Sequence, residues 1–207
     1  SGTAYAPYLI ETKEQLNRVH YYLYAHFKLM ADIEFTATDF AEDGDFYNGG
    51  RGWVPIGENS NDAFLGSFDG NGHTIKGLYV NISAENTTVY AGLFGYSKGI
   101  IQNLGLLECD ISAAVSDSQF IFCAGGIVGV NTGTISNCYN TGTVSMGGSG
   151  LTPSVGGIAG YNDKGTIQIF GKNMTPDSYD IKKEIGVVMQ NVAVFHQMSV
   201  RENVDYF

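Results

Sequence analysis

Three acidic side chains crowd one short turn: "FAEDGDFYNGG" carries Glu42, Asp43 and Asp45 almost side by side. Hard carboxylate oxygens are the donors that calcium takes, so these three are weak calcium candidates. The turn does not spell D-x-[DN]-x-[DN]-G, and a solvated loop accounts equally for its composition. Asp39, Asp43, Asp45, Asp69 and Asp110 could supply the carboxylate pair of a carbohydrate-active enzyme, although each looks like a turn residue. His20, His26, His73 and His196 are scattered, with no HExxH, so no zinc site is expected. Cys109, Cys123 and Cys138 form no CxxC pair, and two of them are expected at comparable places in successive repeats, as small core residues. Residues 160–166, "GYNDKGT", approach a phosphate-binding loop, but Lys164 precedes Gly165 where the lysine of such a loop must follow the second glycine. Trp53, Tyr79, Tyr90 and Tyr96 could form a sugar-binding face, set against the commoner packing of strand aromatics between layers. No catalytic residue and no cofactor is expected.

The elements that must position these groups are written in the composition. The chain has 207 residues, 43% hydrophobic and 13% aromatic, enough for a sizeable core, with only 15% charged and 28 glycines. Such a chain, rich in Tyr, Phe, Val and Ile, reads as β-structure with many turns. A formal net charge of -10 argues against nucleic acid, whose phosphates it would repel, and against an anionic membrane surface. No run approaches the ~18 apolar residues of a membrane span, and no signal peptide is recognisable.

A repeat is the strongest signal. "AGLFGYSKGIIQNLGL" from Ala91, "GGIVGVNTGTISNCYN" from Gly125 and "GGIAGYNDKGTIQIFG" from Gly156 align. Gly92, Gly126 and Gly157 correspond, then Gly95, Gly129 and Gly160, then Gly99, Gly133 and Gly165. Each last glycine is followed by Ile101, Ile135 or Ile167, expected to point inward, and in two units by Asn103 or Asn137. Glycines in fixed columns imply tight corners or stacked backbones with no room for a Cβ. The pieces between them are short, β-branched or aromatic, and bounded by turn residues, as strands are. The expected fold is all-β, a right-handed parallel β-helix or β-solenoid in which stacking completes a core no unit can bury alone. A propeller fits less well, because its blades need ~40 residues or more. The asparagines are expected to form inward-facing ladders from repeat to repeat, a structural role.

Residues 7–35 read as an N-terminal helix and cap. Thr12 with Gln15 makes a capping box, and Leu16, Val19 and Leu23 fall on one helical face. "HFKLMADIEF" follows as a strand, and in "FDGNGHTI" the pairs Asp69-Gly70 and Asn71-Gly72 suit left-handed turns. A helix before a stack could cover its first open edge.

"PYLIETKEQL", "FKLMADIEF", "WVPIG", "GSFDGNGHTIKGL", "GLFGY" and "GGIVGVNTGTISNCYNTGTV" resemble, in order, bacterial surface proteins carrying the GLUG motif. The resemblance covers about residues 7 to 165. It implies a right-handed parallel β-helix module of secreted or cell-wall-attached proteins, among them adhesin-like proteins and the non-catalytic part of some IgA-cleaving metallopeptidases. That motif is structural and brings no catalytic residues.

After Ile167 the pattern calls for asparagine at 169 and finds Ile169. The remaining sequence, with Lys172, Lys182, Lys183 and Glu184, is similar to the stretch after the Walker A helix of ABC-transporter ATPases. There Gln190 matches the Q-loop glutamine, but the phosphate loop, signature loop and Walker B aspartate are missing, so no ATP hydrolysis is expected. The expected organisation is a β-solenoid over 1–165 and an incomplete, α/β-like ATPase fragment over 166–207, joined within 165–167. That tail is alternatively a native C-terminal cap; a foreign tail is expected either to dock on the last coil, with "GTIQIF" adding an edge strand, or to be disordered.

These readings together point to a non-enzymatic extracellular repeat module of a bacterial surface protein, structural or adhesive, with an unidentified protein or glycan ligand at the cell surface. The alternatives are a carbohydrate-active β-helix enzyme and a fragment of an ABC-transporter ATP-binding subunit.

Overall fold

A computed structural model describes residues 1–85, 87–116, 120–148, 152–169 and 172–173. Within them the chain is all-β, with one short α-helix and three short 3-10 segments. Strand β1 (Tyr8–Ile10) leads to helix α1 (Lys13–Asn17), which opens on the expected capping box. The Gln15 N–H donates to Thr12 Oγ1 at 3.3 Å and Gln15 Oε1 accepts from the Thr12 N–H at 3.3 Å. The helix runs on into a 3-10 turn, Arg18–Tyr21, and Leu16 and Val19 are fully buried. The expected single strand divides into β2 (His26–Leu29) and β3 (Ile33–Glu34). The interruption has a cause: Asp32 Oδ1 accepts from the Thr74 N–H at 2.7 Å and from Thr74 Oγ1 at 3.1 Å, which ties the bend to the next layer.

Three repeats follow. The first holds β4 (Ser67–Asp69), β5 (Thr74–Lys76), β6 (Tyr79–Ala84), β7 (Val89–Ala91) and β8 (Phe94–Ser97). The second holds β9 (Ile100–Gln102), β10 (Gly105–Leu107), β11 (Asp110–Val115), β12 (Ile121–Gly125) and β13 (Val128–Asn131). The third holds β14 (Thr134–Ser136), β15 (Tyr139–Asn140), β16 (Thr143–Gly148), β17 (Thr152–Gly156) and β18 (Ala159–Asn162). Each repeat gives one strand to each of five sheets, and every pairing between repeats is parallel. The structural unit therefore begins earlier than the glycine alignment suggests: "FDGNGHTI" and "GLFGY" belong to one repeat.

Register turns this stacking into a core. Phe27, Phe68, Ile101, Ile135 and Ile167 are partners in sequence across one sheet, all buried except the half-buried Ile167. Strand β19 (Thr166–Ile169) extends that sheet in parallel register on β14, and β20 (Lys172–Asn173) then pairs with it antiparallel. Pairing thus passes beyond Gly165, and the first compact unit runs Ser1–Met174.

Ahead of the repeats the core is built differently. Phe35 stacks on Phe40 (5.4 Å, 26°) and meets Phe46 edge-on (5.2 Å, 85°) and Trp53 (5.8 Å, 68°). Trp53 is buried, and its Nε1–H donates to the Leu93 carbonyl at 3.1 Å. Among the described residues no helix is long and apolar enough to cross a membrane.

Candidate functional site

The repeat glycines sit where backbones touch. A Cβ on Gly133 would strike the Gly99 carbonyl oxygen, and one on Gly99 would strike that of Gly66. In the second column, a Cβ on Gly129 would lie 2.8 Å from the Gly95 oxygen and one on Gly160 2.8 Å from the Gly129 oxygen; Gly95 faces the Gly57 oxygen at 2.6 Å. Real side chains do not approach carbonyl oxygens so closely, so glycine is required. In the remaining column Gly92 meets the Gly125 oxygen at 2.7 Å and Gly126 meets that of Gly157, whereas Gly157 has open space. Gly165 faces the side chains of Asn131 and Asn162, not a backbone.

The asparagines form a ladder, but at outward corners. Asn137 Nδ2 donates to Asn103 Oδ1 at 3.1 Å, and Asn103 Nδ2 donates to Asp69 Oδ1 at 2.9 Å. Asn103 is half-buried and Asn137 exposed, and both take left-handed φ values, 53° and 51°. In the first repeat it is Asn71 (φ 53°) and Gly72 (φ 82°) that make the left-handed turn, while Gly70 is needed because a Cβ would strike the Asn103 oxygen.

A second ladder escaped the sequence reading. Ser97, Asn131 and Asn162 are register partners, and Ser97 and Asn131 are the only buried polar residues among those described. Asn131 Nδ2 donates to Asn162 Oδ1 at 2.7 Å, and Asn131 Oδ1 accepts from the Gly133 N–H at 3.1 Å. The signal lay in the alignment, as the polar residue two places before the last glycine in the first two units.

The groups with chemical potential are mostly engaged or isolated. Glu42, Asp43 and Asp45 are all exposed, and among the described residues no three His, Cys, Asp or Glu side chains gather around a metal-sized space. Asp39 caps a 3-10 turn, accepting from the Thr36 N–H at 2.7 Å, and pairs with Lys13 Nζ at 2.6 Å. Burial raises the pKa of Asp39, but Lys13 and Thr36 outweigh it and hold the carboxyl below its usual range. Burial likewise acts on Asp69, and hydrogen bonds from Asn103 and the Asn71 N–H prevail and lower it. Burial pushes all three thiols up to about 11, far from the thiolate a nucleophile needs. Cys109 and Cys138 each follow a left-handed residue, Glu108 or Asn137, but they sit at different corners of their repeats, after β10 and β14. His20 lies tilted against Trp53 (5.7 Å, 43°) with Nε2 buried and unpartnered, and burial, opposed by a Val54 backbone group, lowers its pKa. His196 and Gln190 lie outside the described residues.

The four aromatics do not share one face. Trp53 is core, Tyr90 meets Tyr96 edge-on at 5.7 Å on neighbouring sheets, and Tyr79 stands apart on the outer side of β6. Tyr79 lines an open cavity of about 550 Å³ with Phe35, Phe40, Gly77, Glu108 and Asp110. Phe40 lies edge-on to Tyr79 (5.6 Å, 60°), so the two half-buried rings form an aromatic floor. Glu108, which lines the cavity, lies through Oε2 3.5 Å from Lys76 Nζ, which is itself 3.1 Å from Glu34 Oε1. The hydrogen bond to Glu34, then the Glu108 charge, holds the Lys76 pKa above its ordinary value. Register carries the floor onto a sheet face: Tyr79, Asp110 and Thr143 are partners, and two residues on so are Asn81, Ser112 and Ser145. This site joins the N-terminal segment to two repeats; Tyr79 and Asp110 are each candidates in the sequence, but nothing local marks them as neighbours.

Comparison with known proteins adds four findings. The GLUG motif matches residues 122–145, the stretch that holds Gly126, Gly129, Asn131, Gly133 and Asn137. Halomucin of Haloquadratum walsbyi is 34% identical over 163 residues, 77% of this chain and 2% of halomucin. An Evansella cellulosilytica protein named "Putative Gly-rich membrane protein" is 38% identical over 140 residues, 66% of this chain and 14% of that protein. The chain thus spans a small part of either relative. A crystal structure from Bacteroides ovatus, described as "a putative immunoglobulin A1 protease", aligns over 84% of this chain and 80% of that one, with a TM-score of 0.44 and 18% identity.

Proposed function

We propose that this chain is a non-enzymatic, extracellular or cell-wall-attached repeat module whose three repeats are turns of a right-handed parallel β-solenoid, and whose work is to extend and adhere. The observation that carries this reading is the stacking itself. Each repeat supplies one strand to five parallel sheets, and the glycines and asparagines of the repeat are spent on fitting one layer to the next. The names of the two relatives, a mucin-like name and a membrane-protein name, favour a place at the cell surface. A non-catalytic role is supported by how the acids are used: Asp39 and Asp69 are consumed in structural hydrogen bonds, whereas a glycosidase keeps two carboxyls free to flank one bond. The ATPase-like reading turns on Gln190 and gains no support from the described residues.

The test is trypsin treatment of intact producing cells, with mass spectrometry of the released peptides. Peptides from residues 1–165 are expected in the supernatant before lysis; their release only after lysis overturns the surface assignment.

A further inference from the structure

Resting on the surface-module reading, we infer that the cavity floored by Phe40 and Tyr79, with the outer face of β6, β11 and β16 beside it, binds a neutral oligosaccharide. A pyranose ring offers two unlike surfaces: a face of C–H groups, and an edge of hydroxyls that each both donate and accept. The floor answers the first. The ring face of an aromatic side chain carries negative charge, attractive to polarised C–H groups, and both rings here are half-buried in a cavity of about 550 Å³.

The rim answers the second. Asp110 is exposed, and no salt bridge or side-chain hydrogen bond engages its carboxylate among the contacts described, so it is an open acceptor. Lys76, between Glu34 and Glu108, supplies donors. A carboxylate acceptor and an ammonium donor beside aromatic rings suit the hydroxyls of a polyol. An anionic sugar fits less well, because Glu34, Glu108 and Asp110 would repel it.

The neighbouring sheet face extends the site. Tyr79, Asp110 and Thr143 are register partners on adjacent strands, so they span about 10 Å at ~4.8 Å per strand, and Asn81, Ser112 and Ser145 run parallel to them. Beyond Tyr79 and Asp110, Asn81, Ser112, Thr143 and Ser145 are small hydroxyl and amide side chains on one sheet face. A second sugar can lie across it without displacing anything bulky, so an oligosaccharide is favoured over a single sugar.

The test is isothermal titration calorimetry of the full chain with cellohexaose, laminarihexaose, mannohexaose and chitohexaose, each to low-millimolar concentration. At least one is expected to bind. Tyr79→Ala and Asp110→Ala are each expected to weaken it about tenfold, a loss of ~1.4 kcal/mol. Tyr161→Ala, on the exposed side of another sheet, is expected to leave it unchanged. Thermal melts accompany every variant, and the exposed Asp110→Ala keeps the test valid if Tyr79→Ala unfolds. Failure of all four sugars to bind, or wild-type affinity in Asp110→Ala, overturns the inference. Either result leaves the surface assignment to the trypsin experiment, which reads location and not sugar affinity.

Discussion

The N-terminal segment and the three repeats are held together by different means. Ahead of the repeats, Phe35, Phe46 and Trp53 fill an irregular interior, tied down by one indole hydrogen bond. In the repeats, cohesion comes from backbones brought into contact at glycine and from side chains that bond to their own counterparts one layer away. Both regions bury aromatic and aliphatic side chains, but only the repeats carry close glycine contacts and bonded counterparts that recur from layer to layer. A substitution that removes volume should therefore hurt at Trp53, and one that adds volume should hurt at a repeat glycine whose neighbour is backbone.

The largest effect expected is from Trp53→Ala. It opens a cavity and removes one of the two donors to the Leu93 carbonyl, which keeps the Ile56 N–H at 3.0 Å, costing about 3–5 kcal/mol in urea unfolding. Gly133→Ala adds one methyl against the Gly99 oxygen and is expected to cost about 2–3 kcal/mol, whereas the same change at Gly157, where nothing lies within 4 Å, should be nearly silent. Equal costs at Gly133 and Gly157 would break the contrast.

Within the repeats, the two ladders sharpen it. Asn131→Ala leaves the half-buried Gly133 N–H without its acceptor and should cost about 1–2 kcal/mol. Asn137→Gly keeps the left-handed φ, removes only an exposed amide, and should cost less than about 1 kcal/mol. Both values come from the same denaturant titrations.

The last effect is one of pH, and it belongs to the N-terminal segment. The folded protein holds the His20 pKa below its ordinary value, so the unfolded chain takes up the proton first. Stability should fall as pH drops below about 6.5, by at most about 1.4 kcal/mol per unit, until the folded-state pKa is reached. His20→Phe keeps the ring against Trp53 and should flatten that limb of the stability–pH curve. An unchanged slope would remove His20 from the account.

How much of this could be read from the residues follows the same division. The glycine columns were legible because a forbidden Cβ restricts one position to one residue type, and the restriction recurs with each layer. The Asn103–Asn137 ladder was legible for the same reason, although its outward setting was not: Asn at a left-handed corner and Asn facing inward look alike in sequence. The Ser97–Asn131–Asn162 ladder was missed because its first member is serine, so the column is not uniform. The N-terminal core has no period to read. The cavity at Tyr79 was beyond reach, since Phe40, Tyr79 and Asp110 become neighbours only through the stacking of β6 on β11 and the path of the segment before them.

The outer ladder also gives the stack a polarity that bears on how its gene can lengthen. The Asn137 amide N–H donates to Asn103, whose own N–H donates to Asp69, and an ionised aspartate side chain has no N–H or O–H to donate further. Asp69 is therefore a terminus. Duplicating a unit that carries asparagine, and placing the copy beyond Asp69, preserves the order of donors and acceptors however many copies accumulate. Duplicating the Asp69 unit sets two carboxylates face to face with no proton between them. Growth by tandem duplication is thus open in one direction along the stack and penalised in the other, a bias imposed by one residue at the foot of the ladder.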